Sequence, residues 1–212
     1  MTEIILIRHG ESQSNIEKVY AGNMDVPLTE KGLLQAQVTA DYLKNKKIDA
    51  FYSSPLDRAY RTVKALADDR NMSVTKVENL HEIYGGRWQG LTYTRIFEKF
   101  PKDYKLWLDN IGIARATGGE SAQEVRERIT AAIREIVQKH DGQTICIGLH
   151  AMALRMFISK VKKLDKNDVK NLPWPHNSSI TTVLYENGDF SLKEYSFNDH
   201  LGELNTNLPK NV

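Results

Sequence analysis

Four short groups of polar residues combine types that could do nucleophilic, acid–base and anion-binding chemistry. They are Arg8-His9-Gly10-Glu11-Ser12, Ser53-Ser54-Pro55-Leu56-Asp57-Arg58, His81-Glu82 and His150. A neutral imidazole can act as a nucleophile, a carboxyl group can act as an acid, and guanidinium groups bind anionic oxygens in pairs. The glycine after the first histidine is expected to let an anion approach the backbone.

The second group is predicted to open a helix, with Ser54 as the N-cap and Pro55 as the first helical residue. The positive end of that helix and Arg58 would then point the same way, and with Arg8 they suit the oxygens of a phosphoryl group. Taken alone, a histidine is more often structural and an arginine more often lies on a solvated face. The chain contains no Gly-x4-Gly-Lys-Ser/Thr loop, no His-Glu-x-x-His pair and no Gly-x-Ser-x-Gly elbow. The usual motifs of nucleotide binders, zincins and serine hydrolases are therefore missing.

The elements that must position these groups are short apolar runs alternating with longer amphipathic patterns. Such alternation is typical of an α/β fold with a largely parallel sheet. Inner strands are predicted at Ile4 to Ile7, Ala50 to Tyr52, Val74 to Val77 and Thr144 to Leu149. Since ligands of open α/β sheets bind outside the carboxyl ends of the strands, the four groups are expected to converge on one crevice.

Helices are predicted where apolar residues recur every three or four positions. Two such sets, expected to face the core, are Leu33, Ala36, Ala40 and Leu43, and Leu56, Tyr60, Val63 and Leu66. A capping box from Ser121 to Glu124 predicts a long helix to about Lys139. A further helix should follow Ala151, and a hairpin should turn at Asn187-Gly188.

The segment from Thr92 to Gly119 mixes aromatic residues with many charges. The pattern indicates a helical excursion laid over the sheet, which is either a lid or an ordinary surface subdomain. Its basic residues would meet a second anionic group of a ligand or form a solvated charged face. They are Lys99, Lys102, Lys105 and Arg115.

Composition narrows the class of protein. The 212 residues carry 29 Lys and Arg against 27 Asp and Glu, and this near balance argues against a nucleic-acid binder. Because no run approaches 18 apolar residues and no charged leader precedes the first strand, we expect a cytoplasmic protein without a membrane partner. The single cysteine, Cys146, lies in an apolar run and is expected in the core. We predict one domain over residues 1–212 that needs no structural metal.

With their neighbours, the polar groups resemble the histidine phosphatase superfamily, which includes the cofactor-dependent phosphoglycerate mutases. The matching residues are Leu6 to Ser12 with Asn15, Pro27 to Gly32, Ser53 to Ala59 with Thr62, Leu80 to Leu91, and Gly118 to Ser121. The resemblance extends from Ile4 to about Ile180. It implies a three-layer α/β/α fold with a mainly parallel central sheet, in which residues 92–119 are a helical cap insertion over the active site.

The resemblance also implies a role for each site residue. His9 would be the nucleophile that forms a phosphohistidine, and Glu82 would be the general acid. The phosphoryl oxygens would be bound by Arg8, Asn15, Arg58 and His150, in place of a metal or cofactor. One departure is Leu149-His150-Ala151, where the family commonly has Ser-His-Gly. We therefore expect the fine geometry at His150 to differ.

The sequence thus predicts a hydrolase, namely a metal-independent phosphomonoesterase acting on a small phosphorylated metabolite. Two alternatives stay open: a cofactor-dependent phosphoglycerate mutase, and a non-catalytic module on the same fold that binds a phosphorylated ligand or a protein. Trp88 stands where the mutases typically have leucine, and their following lysine is absent from Leu91-Thr92-Tyr93, which favours the phosphatase. A pure binding role would not require both a nucleophile and an acid. The expected partner is the substrate, and the oligomeric state stays open.

Overall fold

The computed structural model describes residues 1–206, so 207–212, the end of the predicted domain, lie outside the described residues. Six strands within the described residues form one sheet. They are β1 (Thr2–Arg8), β2 (Ala50–Ser53), β3 (Val74–Lys76), β4 (Thr144–Leu149), β5 (Ile180–Glu186) and β6 (Asp189–Phe197). The order across the sheet is β3-β2-β4-β1-β5-β6, in which β1 to β4 pair in parallel and β5 and β6 pair antiparallel. The mainly parallel sheet is confirmed.

Within residues 1–206, seven α-helices connect and cover the strands. They are α1 (Gln13–Glu17), α2 (Glu30–Leu43), α3 (Asp57–Asp68), α4 (Tyr93–Lys99), α5 (Pro101–Asp109), α6 (Ala122–Val137) and α7 (Ala151–Val161). The predicted capping box opens α6, because the Ser121 hydroxyl accepts from the Glu124 N–H while the Glu124 carboxylate accepts from the Ser121 N–H. Within residues 1–206, no helix combines the length and apolar character needed to cross a membrane.

Successive side chains of β1 point to opposite faces of the sheet and so contribute to two separate hydrophobic cores. Ile4 and Leu6 point to the face covered by α6 and α7, and Ile5 and Ile7 point to the face covered by α2 and α3. All four side chains are buried. Cys146 is a free, fully buried thiol in the second core, as predicted. The layers are therefore helix, sheet and helix, as the resemblance implied.

Two predictions about these elements are wrong. β3 is an edge strand and not an inner one, since its three residues pair only with β2. Leu33 is 46% exposed, although Ala36, Ala40 and Leu43 of the same set are buried. The buried face of α2 is shifted toward Gln35, whose amide oxygen accepts from the Glu11 N–H at 2.7 Å. Because the Glu11 N–H needs a hydrogen-bond partner, the buried face of α2 includes the polar Gln35, whereas the periodicity of apolar residues had predicted Leu33 on that face.

The segment 92–119 is helical, as expected. It contains α4, α5 and a short 3-10 turn at Ile111–Ile113. Tyr104 and Trp107 are buried in an aromatic cluster, whereas Phe97 is exposed. This cluster packs the excursion against α6 and α7, through Ala122, Val125, Met152 and Met156.

Candidate active site

His9 follows the last residue of β1 and is held between two central strands. Its N–H donates to the carbonyl of Leu149, at the end of β4, at 3.0 Å. Its ring Nδ1 lies 2.7 Å from the carbonyl of Gly10, and because a carbonyl can only accept, Nδ1 carries the proton. The neutral ring therefore has its lone pair on Nε2. Burial, together with the cations of Arg58 and Arg8, holds the pKa of His9 well below its usual value.

Gly10 has a role in packing that was not predicted. A Cβ atom built on Gly10 would lie 2.5 Å from the carbonyl oxygen of Gly32, in the first turn of α2. The small residue therefore allows α2 to approach the loop after β1, and the expectation that it admits an anion stays a prediction. The Gly10 N–H is also occupied, because it donates to the Thr62 hydroxyl at 3.0 Å.

Arg8 and Arg58 lie in the same buried site as His9, and backbone carbonyls hold both guanidinium groups. Arg8 donates to Pro175 at 2.5 Å, and Arg58 donates to Met24 at 2.6 Å and to Gly22 at 2.8 Å. Burial lowers the pKa of Arg8 to about 10, opposed by the carboxylate of Glu82, so the group stays charged at neutral pH. These neutral acceptors fix the position of the two cations without cancelling their charge.

Asn15 is oriented by three contacts to its side-chain oxygen. The oxygen accepts from the N–H and the hydroxyl of Ser12, both at 3.0 Å, and from the Asn177 amide at 3.2 Å. Its own amide nitrogen is thereby left for a ligand. The Asn177 amide also donates to the carbonyls of His9 and Gly10 at 3.1 Å, so it ties the β1 loop together. Asn177 lies in none of the matching motifs, so no sequence pattern pointed to it.

Glu82 approaches the site from the segment after β3. One carboxylate oxygen accepts from the N–H groups of Ile83 at 2.9 Å and Ala153 at 3.0 Å, and the other accepts from Met152 at 3.0 Å. Met152 and Ala153 belong to the first turn of α7, where backbone N–H groups have no partner within the helix. The end of β4 therefore positions the carboxyl group as well as His150.

His150 is fully buried, and its ring centroid lies 5.2 Å from that of His9. Its Nε2 is 2.8 Å from the hydroxyl of Ser54. Ser54 is therefore not the helix cap that we predicted. Leu56, whose own backbone angles are extended, is the N-cap residue of α3, and the helix begins at Asp57. Burial, with Arg58 as the next cause, holds the pKa of His150 well below its usual value.

Five of the six predicted site residues line one pocket of about 90 Å³, namely Arg8, His9, Asn15, Arg58 and Glu82. Aromatic residues that the sequence reading had not assigned to the site complete its wall: Tyr20, Tyr93, Trp107 and Trp174. Trp174 is fixed by the guanidinium of Arg155, which lies 4.3 Å from the ring centroid. A second pocket of about 370 Å³ shares Arg8, Tyr93 and Trp174 and continues the first toward Lys18 and Lys31.

The basic residues of the segment 92–119 do not reach these two pockets. Lys105 pairs with Asp109 at 2.6 Å, and Arg115 pairs with Glu124 at 2.6 Å. Of the two interpretations of these charges, the solvated face is the one the structure supports. Across residues 1–206, no three His, Cys, Asp or Glu side chains are grouped so that they could hold a metal ion.

Comparison with known proteins decides the family. Residues 4–198 match the family model of the histidine phosphatase superfamily, branch 1. The chain belongs to this superfamily. Phosphoserine phosphatase 1 of Hydrogenobacter thermophilus is 30% identical to this histidine phosphatase over 96% of either chain. Phosphoglycerate mutase-like protein 4 of Arabidopsis thaliana is 31% identical over 95% of this chain and 87% of its own length.

Among solved structures, Bacillus stearothermophilus YhfR superimposes on this histidine phosphatase with a TM-score of 0.91. The two are 27% identical, and the alignment covers 95% of this chain and all of that one. The predicted family, fold class and enzyme class are therefore confirmed: the chain is a phosphatase of the phosphoglycerate mutase-like type.

Proposed function

We propose that this chain is a metal-independent phosphomonoesterase that hydrolyses a small phosphorylated metabolite through a phosphohistidine at His9. The observation that carries the proposal is the hydrogen bond from His9 Nδ1 to the carbonyl of Gly10. It leaves the Nε2 lone pair in a pocket that two guanidinium groups also line. A phosphoryl group bound to Arg8 and Arg58 would meet that nitrogen directly.

In the first step, the Nε2 lone pair of His9 attacks phosphorus and the bond from phosphorus to the ester oxygen breaks. Glu82, in its protonated form, gives its proton to the departing oxygen, and the alcohol leaves. In the second step, the Glu82 carboxylate takes a proton from water as the water oxygen attacks phosphorus. The phosphorus–nitrogen bond then breaks, and inorganic phosphate leaves a neutral His9 and a protonated Glu82.

Four further residues would stabilise the charge on the transferring group. Arg8, Asn15, Arg58 and His150 would donate to its oxygens, three of them from the pocket wall. Because two fixed cations supply the positive charge that a metal ion would otherwise supply, the reaction needs no metal. We also propose that residues 92–119 act as a cap within one domain of 1–212, since Tyr93 and Trp107 of this segment line the pocket.

The decisive experiment traps the intermediate. The enzyme is mixed briefly with a ³²P-labelled monoester, quenched in alkali and tested for protein-bound phosphate that is stable in alkali and lost in acid. The parent enzyme should form the adduct, and His9→Ala should form none while retaining its circular dichroism spectrum. His140→Ala is the control, because His140 bonds to Tyr52 away from the pocket. An adduct in His9→Ala would show that the nucleophile is another residue.

Metal independence has its own test. The purified enzyme is dialysed against EDTA and assayed with and without added Mg²⁺, Mn²⁺ or Zn²⁺. We expect unchanged turnover, because the guanidinium and amide donors that bind the phosphoryl group do not depend on a metal. Activity that EDTA abolishes and a divalent ion restores would overturn this part of the proposal.

A further inference from the structure

Tyr20 carries a buried polar atom that the proposed reaction leaves unused. The residue is 6% exposed, and no group within residues 1–206 forms a hydrogen bond with its hydroxyl. It lines the same pocket as His9 and Glu82. A buried hydroxyl without a partner destabilises the folded protein, whereas a phenylalanine of the same shape would not. Such a group is therefore expected to find its partner in a ligand.

The surroundings of Tyr20 hold the ring firmly in place. Its N–H donates to the carbonyl of Leu91 at 2.9 Å, and its own carbonyl accepts from Gly90 at 3.0 Å. The ring meets the edges or faces of three other aromatic rings, those of Trp88, Tyr93 and Trp107, at centroid distances of 5.5 to 6.3 Å.

Gly85 makes room for this arrangement. A Cβ atom at Gly85 would lie 2.5 Å from Cε1 of the Tyr20 ring, so a larger residue there would force the ring to move. The position of the Tyr20 ring is fixed by its backbone hydrogen bonds and by its aromatic neighbours. Glycine at position 85 leaves the space that this ring position needs. The position of the hydroxyl is thus built into the fold.

The hydroxyl is a hydrogen-bond donor at every physiological pH. Burial raises the pKa of Tyr20 well above its usual value, and the carboxylate of Glu82 raises it further. Tyr20 and Glu82 line the same pocket, and Glu82 is proposed to protonate the ester oxygen that leaves, so we expect the Tyr20 hydroxyl to face the alcohol part of the substrate. The phosphoryl oxygens already have Arg8, Arg58 and Asn15.

We propose that Tyr20 is a specificity-determining residue whose hydroxyl donates a hydrogen bond to an acceptor oxygen on the alcohol part of the substrate, close to the ester. The inference rests on the proposed phosphatase function and adds a substrate class to it. The favoured substrates are phosphate esters of small alcohols that carry a hydroxyl or carboxylate oxygen beside the ester-bearing carbon chain. Esters of plain alkyl alcohols leave the Tyr20 hydroxyl unpaired and are turned over poorly.

The test compares Tyr20→Phe with the parent enzyme on matched substrates. Glycerol 3-phosphate, 3-phosphoglycerate and phosphoserine carry acceptor oxygens, whereas n-propyl phosphate has a three-carbon chain without them. We expect the parent to prefer the best of the three over n-propyl phosphate. In Tyr20→Phe, kcat/KM for that substrate should fall by about 10- to 100-fold and for n-propyl phosphate by less than about 3-fold.

Tyr104→Phe is the matched control. Tyr104 lies in the same aromatic cluster, 5.8 Å from Trp88, but does not line the pocket. It should keep the parent's preference between the two substrate types. The thermal midpoint of Tyr20→Phe should equal or exceed that of the parent, since the variant loses an unpaired buried hydroxyl.

The possible failures are distinguishable. Equal losses on both substrate types, or a parent enzyme without the preference, would overturn the role of Tyr20 and leave the phosphatase intact. A lowered thermal midpoint with an unchanged preference would show that the hydroxyl is structural, and would also overturn the inference. A parent enzyme that hydrolyses none of the esters would instead contradict the proposed function.

Discussion

The hydroxyl of Ser54 lies 2.8 Å from Nε2 of His150, and it also accepts weakly from the Leu56 N–H at 3.3 Å. The hydroxyl hydrogen is free to point to Nε2, and we infer this arrangement, in which the ring proton lies on Nδ1. In the part of the chain that the structure describes, the buried Nδ1 has no hydrogen-bond partner. Ser54 thus holds His150 in the tautomer whose free N–H can donate to a phosphoryl oxygen.

We predict that Ser54→Ala weakens phosphoryl binding while the protein stays folded. Loss of the tautomer preference should lower kcat/KM by about 10-fold and raise the inhibition constant for inorganic phosphate by a similar factor. Ser53→Ala is the control, because Ser53 is equally buried but its hydroxyl has no partner in residues 1–206. If the two variants behave alike, Ser54 does not position His150.

Glu82→Gln should distinguish an acid from a structural carboxylate. For alkyl esters we expect a loss of about 10²- to 10⁴-fold in kcat, and for p-nitrophenyl phosphate a loss of less than about 10-fold, because that leaving group needs little protonation. The amide has one acceptor oxygen for the three N–H donors that the carboxylate now satisfies. Some stability should therefore be lost as well.

A control separates the two effects of that substitution. Glu120 also accepts a backbone N–H, from Tyr84 at 2.7 Å, but it pairs with Arg128 and does not line the catalytic pocket. Glu120→Gln should lower the thermal midpoint and leave the ratio of the two activities unchanged. Equal losses of Glu82→Gln on both esters would assign Glu82 a binding or structural role.

The buried histidines make stability depend on pH. His9 and His150 have pKa values lowered well below 6.5 by burial and by Arg58, so they stay neutral in the folded protein while the unfolded chain binds protons. As the pH falls below about 6.5, the free energy of unfolding should fall by up to about 1.4 kcal/mol per pH unit for each such histidine.

Urea unfolding between pH 7.5 and pH 5 measures this dependence. His9→Ala removes one of the two groups, so the slope of unfolding free energy against pH should become shallower by up to one proton's contribution. At pH 7.5 both proteins have neutral histidines in both states, and the comparison there reports packing alone. Identical slopes would contradict the lowered pKa of His9.

The site residues that could be predicted are those whose positions follow from the local pattern of strands and helices in the sequence. His9, Arg58 and His150 each lie at or just after the carboxyl end of a central parallel strand, and this rule alone brings them to one edge of the sheet. The fold class followed from the alternation of strand and helix patterns for the same reason. Exact helix starts did not follow: the predicted cap Ser54 bonds to His150 instead, and α3 begins at Asp57.

The unpredicted part depends on contacts between distant segments. Asn177 lies 168 positions from His9 and joins the site through its side-chain amide, which no periodicity reveals. Tyr20 and Trp174 belong to none of the motifs singled out in the sequence, and their place in the pocket wall comes from packing against the segment 92–119 and Arg155. A tertiary contact of this kind overrides any local signal.

The phosphoryl group can pass from the enzyme to water or to a second hydroxyl of a bound substrate. Which acceptor is used depends on the groups that the pocket binds besides the phosphate. Mutases use a lysine after the acid segment to hold a bisphosphorylated substrate, and Tyr93 occupies that stretch here, with its ring in the pocket wall. Trp88, fully buried, donates from its ring N–H to the Thr117 hydroxyl at 2.9 Å and so helps to fix the cap.

We therefore expect water to be the acceptor. Burial raises the pKa of Tyr93 above its usual range, so this residue adds no charge at the position where the mutases have a lysine. Simple monoesters should release inorganic phosphate, while conversion of 3-phosphoglycerate to 2-phosphoglycerate should stay at least about 10-fold slower, even with 2,3-bisphosphoglycerate supplied. Tyr93→Lys should raise the mutase-to-hydrolysis ratio, and Tyr104→Lys should not. A parent mutase rate above its hydrolysis rate, measured by coupled assay and by phosphate release on the same sample, would reverse the assignment.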